Sequence, residues 1–284
     1  MIRGLQQDEF PPLLKEIPEP PEQLRLWGNL PIAGNKLLAV VGARKYSHYG
    51  REACEELLAG LTGYPVTIVS GLALGIDGLA HRAALRNDLQ TIALPGSGLD
   101  QKVLHPHSHY RLAEEIVENG GGLLSEYDDT LPAGAWTFPR RNRIMAGMCD
   151  ATIVIEAELR SGTLITSRLA TEYNREVGTV PGPISSPSSV GPHMLIRLGA
   201  ALIRDSKDIL ELLGLQSEGQ NILFDPDDLS AEEKTFIKIL EKPCERDELI
   251  RHSKISIGQA NAVLTLMEIK GLIREELGEV RKTF

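Results

Sequence analysis

Residues 37–42 read L-L-A-V-V-G and residues 66–71 read V-T-I-V-S-G. Each is a continuous apolar run closed by a glycine, too short for a buried helix, and so predicts a strand covered on both faces. Between them, Tyr49 to Leu61 carries apolar residues at helical spacing. The alternation continues with a helix over Ile76 to Asn87, where Leu79, Ala80, Ala83 and Ala84 share a face. Strands are expected at Thr91–Leu94, Leu123–Ser125, Ala151–Ile155 and Gly178–Val180, and helices near His109–Glu118, Thr163–Arg175 and Asp208–Leu213. Such a series predicts an α/β fold with a doubly wound, mostly parallel sheet. In it Gly42, Gly71, Gly96 and Ser161-Gly162 all fall just past the carboxyl end of a strand, on the rim where such sheets bind ligands.

The 284 residues are 42% hydrophobic and 24% charged, as in ordinary globular domains. The start, Met1 to Asp8, has no apolar signal core, and no apolar run approaches membrane length. Cys54, Cys149 and Cys244 make no C-x-x-C pair and read as reduced thiols, so a cytoplasmic protein is expected, without a membrane partner. A formal charge of -9 argues against a general nucleic-acid binder, so any polyanion must meet a local basic pocket.

Such a pocket has candidates. Trp136 to Gly147 reads W-T-F-P-R-R-N-R-I-M-A-G, with Arg140, Arg141 and Arg143 behind Pro139. Pro139 suits a first helical position, which sets the arginines at a helix N-terminus, where positive charge is unfavourable unless an anion is bound. Guanidinium forks suit phosphate, and Trp136 and Phe138 offer flat faces for a base; pairing of the arginines with nearby acids is the plain alternative. Gly42-Ala43-Arg44-Lys45, Ser70-Gly71 with Gly75, and Ser161-Gly162-Thr163 with Thr166 are anion-friendly turns on the same rim. Together they point to a ligand with several phosphates.

V-V-G-A-R at Val40–Arg44, S-G-L-A-L-G-I-D-G-L-A-H at Ser70–His81, L-L-S-E-Y at Leu123–Tyr127 and F-P-R-R-N-R at Phe138–Arg143 resemble the DNA-processing protein A (DprA, or Smf) family. So do V-I-E-A at Val154–Ala157, S-G-T-L-I-T at Ser161–Thr166, V-P-G at Val180–Gly182 and G-P-H-M-L-I-R-L-G-A at Gly191–Ala200. The resemblance spans residues 24–213. It implies an extended Rossmann-like core that binds single-stranded DNA, no enzymatic activity, no cofactor, and a recombination mediator that loads RecA recombinase in natural transformation, as a homodimer. Carried over by position, the DNA pocket comprises Gly42, Arg44, Ser70, Gly71, Phe138, Arg140, Arg143, Ser161, Gly162 and Thr163, and Lys45 joins them on its charge. Departures from the family pattern are Ala43, Leu74, His105-Pro106-His107-Ser108-His109, and Asn174 where a glycine is usual.

Other readings attach to particular residues. His105, His107 and His109 alternate as metal ligands might, but read better as a loop. Asp77 and His81 sit four apart like an acid–base dyad, but read better as a helix-start acceptor with a histidine packed below it. Glu126 and Glu156 end strands on the rim and serve either as bases of a nucleotide hydrolase or, preferably, as partners of the arginines. A phosphoribohydrolase on a related fold is the runner-up function, yet Pro95-Gly96-Ser97-Gly98-Leu99 lacks the threonine and glutamate of its P-G-G-x-G-T-x-x-E signature.

Four segments are expected: a proline-rich arm over 1–35, the core over 36–214, a polar linker over 215–228 and a winged-helix domain over 229–284. Ser230-Ala231-Glu232-Glu233 and Ser256-Ile257-Gly258-Gln259 both fit capping boxes, Arg246–His252 reads as a short helix, and a hairpin turns near Gly278. The third helix offers Gln259, Asn261, Thr265 and Glu268, flanked by Lys254 and Lys270, and the acids around it argue against sequence-specific reading. A winged-helix transcription factor is the third hypothesis.

Overall fold

Among the described residues, nine strands form one sheet. The structure is a computed structural model that describes residues 2–215, 229–240, 244–253, 255–269, 272–276 and 279–282. The chain opens with β1 (Ile2–Gly4), β2 (Arg25–Gly28) and β3 (Lys36–Val41), then α1 (His48–Ala59), β4 (Val66–Ser70), α2 (Ile76–Arg86) and β5 (Thr91–Ala93). It continues through α3 (Tyr110–Glu118), β6 (Gly122–Ser125), α4 (Thr137–Met148), β7 (Ala151–Val154), α5 (Gly162–Glu172) and β8 (Glu176–Thr179). The unit closes with α6 (Val190–Arg197), β9 (Ala201–Leu202) and α7 (Ser206–Leu212).

The strand order is β1-β2-β6-β5-β4-β3-β7-β8-β9, parallel from β6 to β9. From β3 the chain steps outward through β4, β5 and β6, then returns to β7 on the other side. The turns after β3 and β7 therefore diverge, the point at which doubly wound sheets open a crevice. Side chains of β3 alternate between two cores. Leu38 and Val40 pack with Leu57, Leu58 and Ile153, whereas Leu37, Ala39 and Val41 pack with Ile144, Met145 and Met148 of α4. Both faces are covered, which is why the run is apolar throughout.

Three local outcomes differ from the expectation. The arm over 1–35 does not merely lie on the core: β1 and β2 extend the sheet antiparallel, with Arg25–Gly28 paired to Gly122–Ser125. These strands are only three and four residues long, with prolines between them, so periodicity could not mark them. Leu14, Ile17 and Leu24 between them, and Leu26 of β2, are buried in the core that α4 shares. Second, α4 starts at Thr137, not at Pro139, with Trp136 at its N-cap. Proline is tolerated at the third position because that N–H has no helical acceptor. Third, α6 and β9 had no periodic signature. Asn174 holds φ +56, the left-handed conformation that glycine and asparagine take at helix ends, and so explains the residue at that departure.

Two compact units emerge, Met1–Leu215 and Gln216–Phe284. The second contains α8 (Ala231–Ile239), β10 (Cys244–Glu245), α9 (Arg246–Ser253), α10 (Ile257–Ile269), β11 (Ile273–Glu276) and β12 (Glu279–Lys282). Its sheet runs β10-β12-β11, antiparallel, over a core of Phe236, Leu249, Leu264, Met267 and Val280: a winged helix. Ser230 and Glu233 form the expected capping box, while the Ser256 hydroxyl donates to Gln259 Oε1 at 2.7 Å. Of the expected linker over 215–228, residues 216–228 lie outside the described residues, as do Lys254, Lys270 and the turn at Gly278.

Two predictions concern the first unit. A chain ending at Leu215 is expected to unfold in one cooperative transition followed by circular dichroism; a molten, non-cooperative fragment would show that the second unit completes its core. His81 is fully buried, its Nδ1 2.7 Å from Thr91 Oγ1, and burial pushes its pKa down from 6.5 to about 3. A depressed pKa means the unfolded chain takes up the proton first. Its contribution is thus present above about 6.5 and lost as pH falls toward 3, by at most about 1.4 kcal/mol per pH unit. His109, also depressed chiefly by burial, adds in the same direction. Stability measured by urea titration should therefore drop through this window, and His81→Gln should flatten the fall; an unchanged slope would locate the proton uptake elsewhere.

Candidate nucleic-acid interface

The crevice at the switch point has a volume of about 480 Å³. One wall is the turn after β3, where Gly42 is compulsory: a Cβ there would lie 2.6 Å from Ile76 Cγ1. The opposite wall is the N-terminus of α5. Ser161 caps it, accepting from Thr163 N at 3.2 Å, and Thr163 Oγ1 donates to Gly42 O at 3.1 Å, which ties the two turns together. The third wall is α4. Arg44, Lys45 and Arg160, all exposed, project their charge around this opening.

The two faces of α4 divide the arginine stretch. Phe138, Arg141, Asn142 and Met145, at spacings of three, four and seven, line the crevice. Phe138 lies under the Arg44 guanidinium, 5.6 Å from ring centroid to Cζ, with His105 edge-on at 5.7 Å. Arg141 is buried at 6% exposure, donating to Leu94 O and, at 3.0 Å, to Asn142 Oδ1. It packs so close to the turn after β4 that a Cβ on Gly71 would meet its Nη1 at 2.1 Å. Beside it lies Asp77, also on the crevice. Burial pushes the Asp77 carboxyl up, against the pull of Arg141 and of the Ala73 and Gly71 backbone. Asp77 sits in the first turn of α2 but accepts from the turn ahead of the helix, at Gly71 and Ala73, and not from the helix's own first N–H groups.

The other face carries Arg140 and Arg143, and the structure does not bring them to the crevice. Arg143, with a side chain only 10% exposed, pairs with Glu126 and donates to Glu19 O. Arg140 reaches the same carboxylate at 3.3 Å but remains 57% exposed. Burial pushes Glu126 up, while Arg143 and Arg140 pull it down. The anion at this helix start is therefore internal, and Arg143 is a structural residue rather than a groove residue. Glu156 differs from the expectation as well. It accepts from Ser47 N at 2.9 Å, Ser47 Oγ at 2.6 Å and Ser188 Oγ at 2.9 Å, and so fixes the loop ahead of α1 rather than an arginine.

Of the other expected site residues, Gly42, Arg44, Lys45, Phe138, Ser161, Gly162 and Thr163 line the crevice. Gly71 lines a small cavity beside it, with Arg44, Leu74, His105 and Phe138. Ser70 does not reach either: it is fully buried and donates to Val40 O at 2.6 Å. Arg160 and Asn142 were not singled out, and Arg141 was passed over for its neighbours. Helical spacing counted from Phe138 would have found Arg141 and Asn142; Arg160, in an irregular turn, had no signal. The three histidines go separate ways, His105 to Phe138, His107 to Tyr110 and His109 to Leu72 O at 2.8 Å. Ser97 of the Pro95–Leu99 turn is wholly buried, donating to Gly98 O and accepting from His105 N.

Residues 2–214 match the family model described as DNA recombination-mediator protein A, and residues 225–279 match the DprA winged helix domain. The chain belongs to this family. It is 44% identical over 223 residues to Protein Smf of Escherichia coli, a match covering 77% of this chain and 59% of the relative's length. It is 43% identical to the DNA processing protein DprA of Streptococcus pneumoniae over 203 residues, 72% of this chain and 71% of that one. The X-ray structure of the pneumococcal protein superposes with a TM-score of 0.69 at 39% identity, over 74% of each chain. DNA processing protein A from Helicobacter pylori, described structurally for its single-stranded DNA binding mode, superposes at 0.67 with 28% identity, over 75% of this chain and 95% of that one.

The two arginines on Glu126 should separate in stability. Removing one member of a buried pair costs about 3–5 kcal/mol, against about 0–1 for an exposed one. Arg143→Ala should therefore lower unfolding free energy in urea by about 3 kcal/mol, and Arg140→Ala by no more than about 1. Equal losses would mean that Arg143 is not the buried partner.

Proposed function

We propose that this chain binds single-stranded DNA in the switch-point crevice and acts as a recombination mediator without catalysis, in the cytoplasm. The observation that carries the reading is the convergence of Arg44, Lys45 and Arg160 on the N-terminus of an eleven-residue helix, with a phenyl ring on the adjoining wall. Backbone N–H groups and the helix dipole favour phosphate at Ser161–Thr163, guanidinium groups flank it, and Phe138 offers ring surface to a base. The Helicobacter pylori relative's single-strand binding supports the ligand class. A chain of net charge -9 needs such a local site, since its mean field repels nucleic acid. Loading of RecA recombinase, a role in natural transformation and homodimerisation are carried into the proposal from the family resemblance. Catalysis is left out because the strand-end carboxylates are engaged, Glu126 by arginines and Glu156 by serines.

Gel-shift titration with single- and double-stranded oligonucleotides at two salt concentrations tests the ligand. Binding should favour single strands and weaken with salt. Arg44→Ala should lower affinity alike for all base sequences and make the log–log salt slope shallower by about 0.7, the value for one phosphate contact on a single strand. A folded Arg44→Ala variant with wild-type affinity and slope would remove the crevice from the binding path. Turnover of a nucleotide by the purified protein, abolished by Glu156→Ala, would restore the enzyme reading.

A further inference from the structure

Trp136 is 57% exposed, an unusual state for an indole that is held so firmly. It caps α4 in helical geometry (φ -79, ψ -22), and the next residue, Thr137, is fully buried. Thr137 Oγ1 donates to Gly96 O at 2.5 Å, its N–H goes to Gly134 O at 3.0 Å, and its carbonyl accepts from the Tyr127 hydroxyl at 2.9 Å. The Trp136 ring meets Tyr127 edge-to-face, centroids 5.6 Å apart at 85°. Such a contact covers at most one ring face, so a flat apolar surface is left open to solvent on an anchored turn.

Its neighbour four residues on is Arg140, whose 57% exposed side chain reaches Glu126 at 3.3 Å. Glu126 already has its close, buried partner in Arg143. The Arg140 guanidinium is thus loosely held, four residues on from the open indole, at the spacing that sets two side chains on one helix face. Phe138, by contrast, has Arg44 over its ring and His105 at its edge. Strand order places this pair on the same rim as the crevice. The turns after β7, β3, β4, β5 and β6 follow one another across four strand spacings, about 19 Å in all. The crevice occupies the β7 and β3 end, Phe138 covers Gly96 after β5, and Trp136 and Arg140 stand at Glu126 and Tyr127 after β6.

We propose that Trp136 and Arg140 form a second nucleotide subsite, the indole stacking on a base and the guanidinium taking the adjoining phosphate of a strand that runs along the rim from the crevice. This rests on the single-strand reading above. The chain has two tryptophans, and the other, Trp27, is stacked on Tyr110 at 6.0 Å, so Trp27→Phe makes the emission report on Trp136 alone.

The full-length chain is titrated with oligo-dT of roughly 4 and roughly 16 nucleotides, the span of known site sizes. Trp136→Ala should weaken the longer ligand about 5- to 150-fold, the effect of losing one stacked base, with the salt slope unchanged and the shorter ligand unaffected. Trp136→Phe should recover most of the loss. In the Trp27→Phe background the longer oligonucleotide should quench the emission. A Trp136→Ala variant with wild-type melting that binds the longer strand as wild type does, or emission untouched at saturation, overturns the subsite alone. Wild-type protein that ignores both oligonucleotides overturns the single-strand reading itself.

Discussion

The reversal of strand order at β3 is the constraint on which the rest of the molecule depends. Right-handed crossovers carry the chain from β3 outward to β6 along one direction and from β7 to β9 along the other. Helices α1 and α5, which follow β3 and β7 along opposite paths, cannot both cover the gap between those strands, so backbone from both turns is exposed there. The missing Cβ at Gly42 lets Ile76 close the floor from below, and the Thr163–Gly42 hydrogen bond closes it from the side. A crevice follows from topology before any charged residue is placed.

Charge is then distributed by depth. Arg141, the innermost cation, is satisfied by a carbonyl, an amide oxygen and the neighbouring Asp77, so it holds α4 to the turns after β4 and β5. Leaving it unpaired in that place would cost several kcal/mol. Arg44, Lys45 and Arg160 stand at the mouth, hydrated and near solvent, where an incoming phosphate replaces counterions instead of breaking internal bonds. The buried charge keeps the shape, and on the proposed reading the exposed charges meet the ligand. An acidic chain can carry such a site because screening confines the rest of its field to about 10 Å.

The sheet was legible because strands covered on both faces must be largely apolar, and β3, β4 and β7 carry only Lys36, Thr67, Ser70 and Thr152 as exceptions. Short edge strands leave no such trace: Arg25–Gly28 carries two buried or half-buried side chains per face at most, and tertiary pairing to β6 decides its state. The rim glycines were equally legible, since each follows a strand. What failed was the arginine stretch, read as one cluster because its members are adjacent in sequence. On a helix adjacent residues point about 100° apart, so Arg140 and Arg143 turned to Glu126 and Arg141 to the crevice. The acids were readable as partners in kind but not in identity. Glu126 took the arginines, and Glu156 took Ser47, from a loop 109 residues earlier, and Ser188.

On the proposed reading the crevice has to grip any sequence, through contacts that carry no sequence information. Base identity is read by side-chain amides and guanidinium forks free to reach base edges, whereas phosphate contacts only position a strand. The side-chain amide in the crevice, Asn142, has its oxygen engaged by Arg141 Nε at 3.0 Å. The same economy holds in the second unit, where Arg246 spans from Asn261 Oδ1 to Glu268 Oε1, both at 3.3 Å, across the helix that would read bases in a winged-helix regulator. Two elements that could discriminate bases thus have polar groups tied up internally. On the proposed reading, the crevice offers a strand charge and backbone N–H for phosphate, and ring surface for the face of a base.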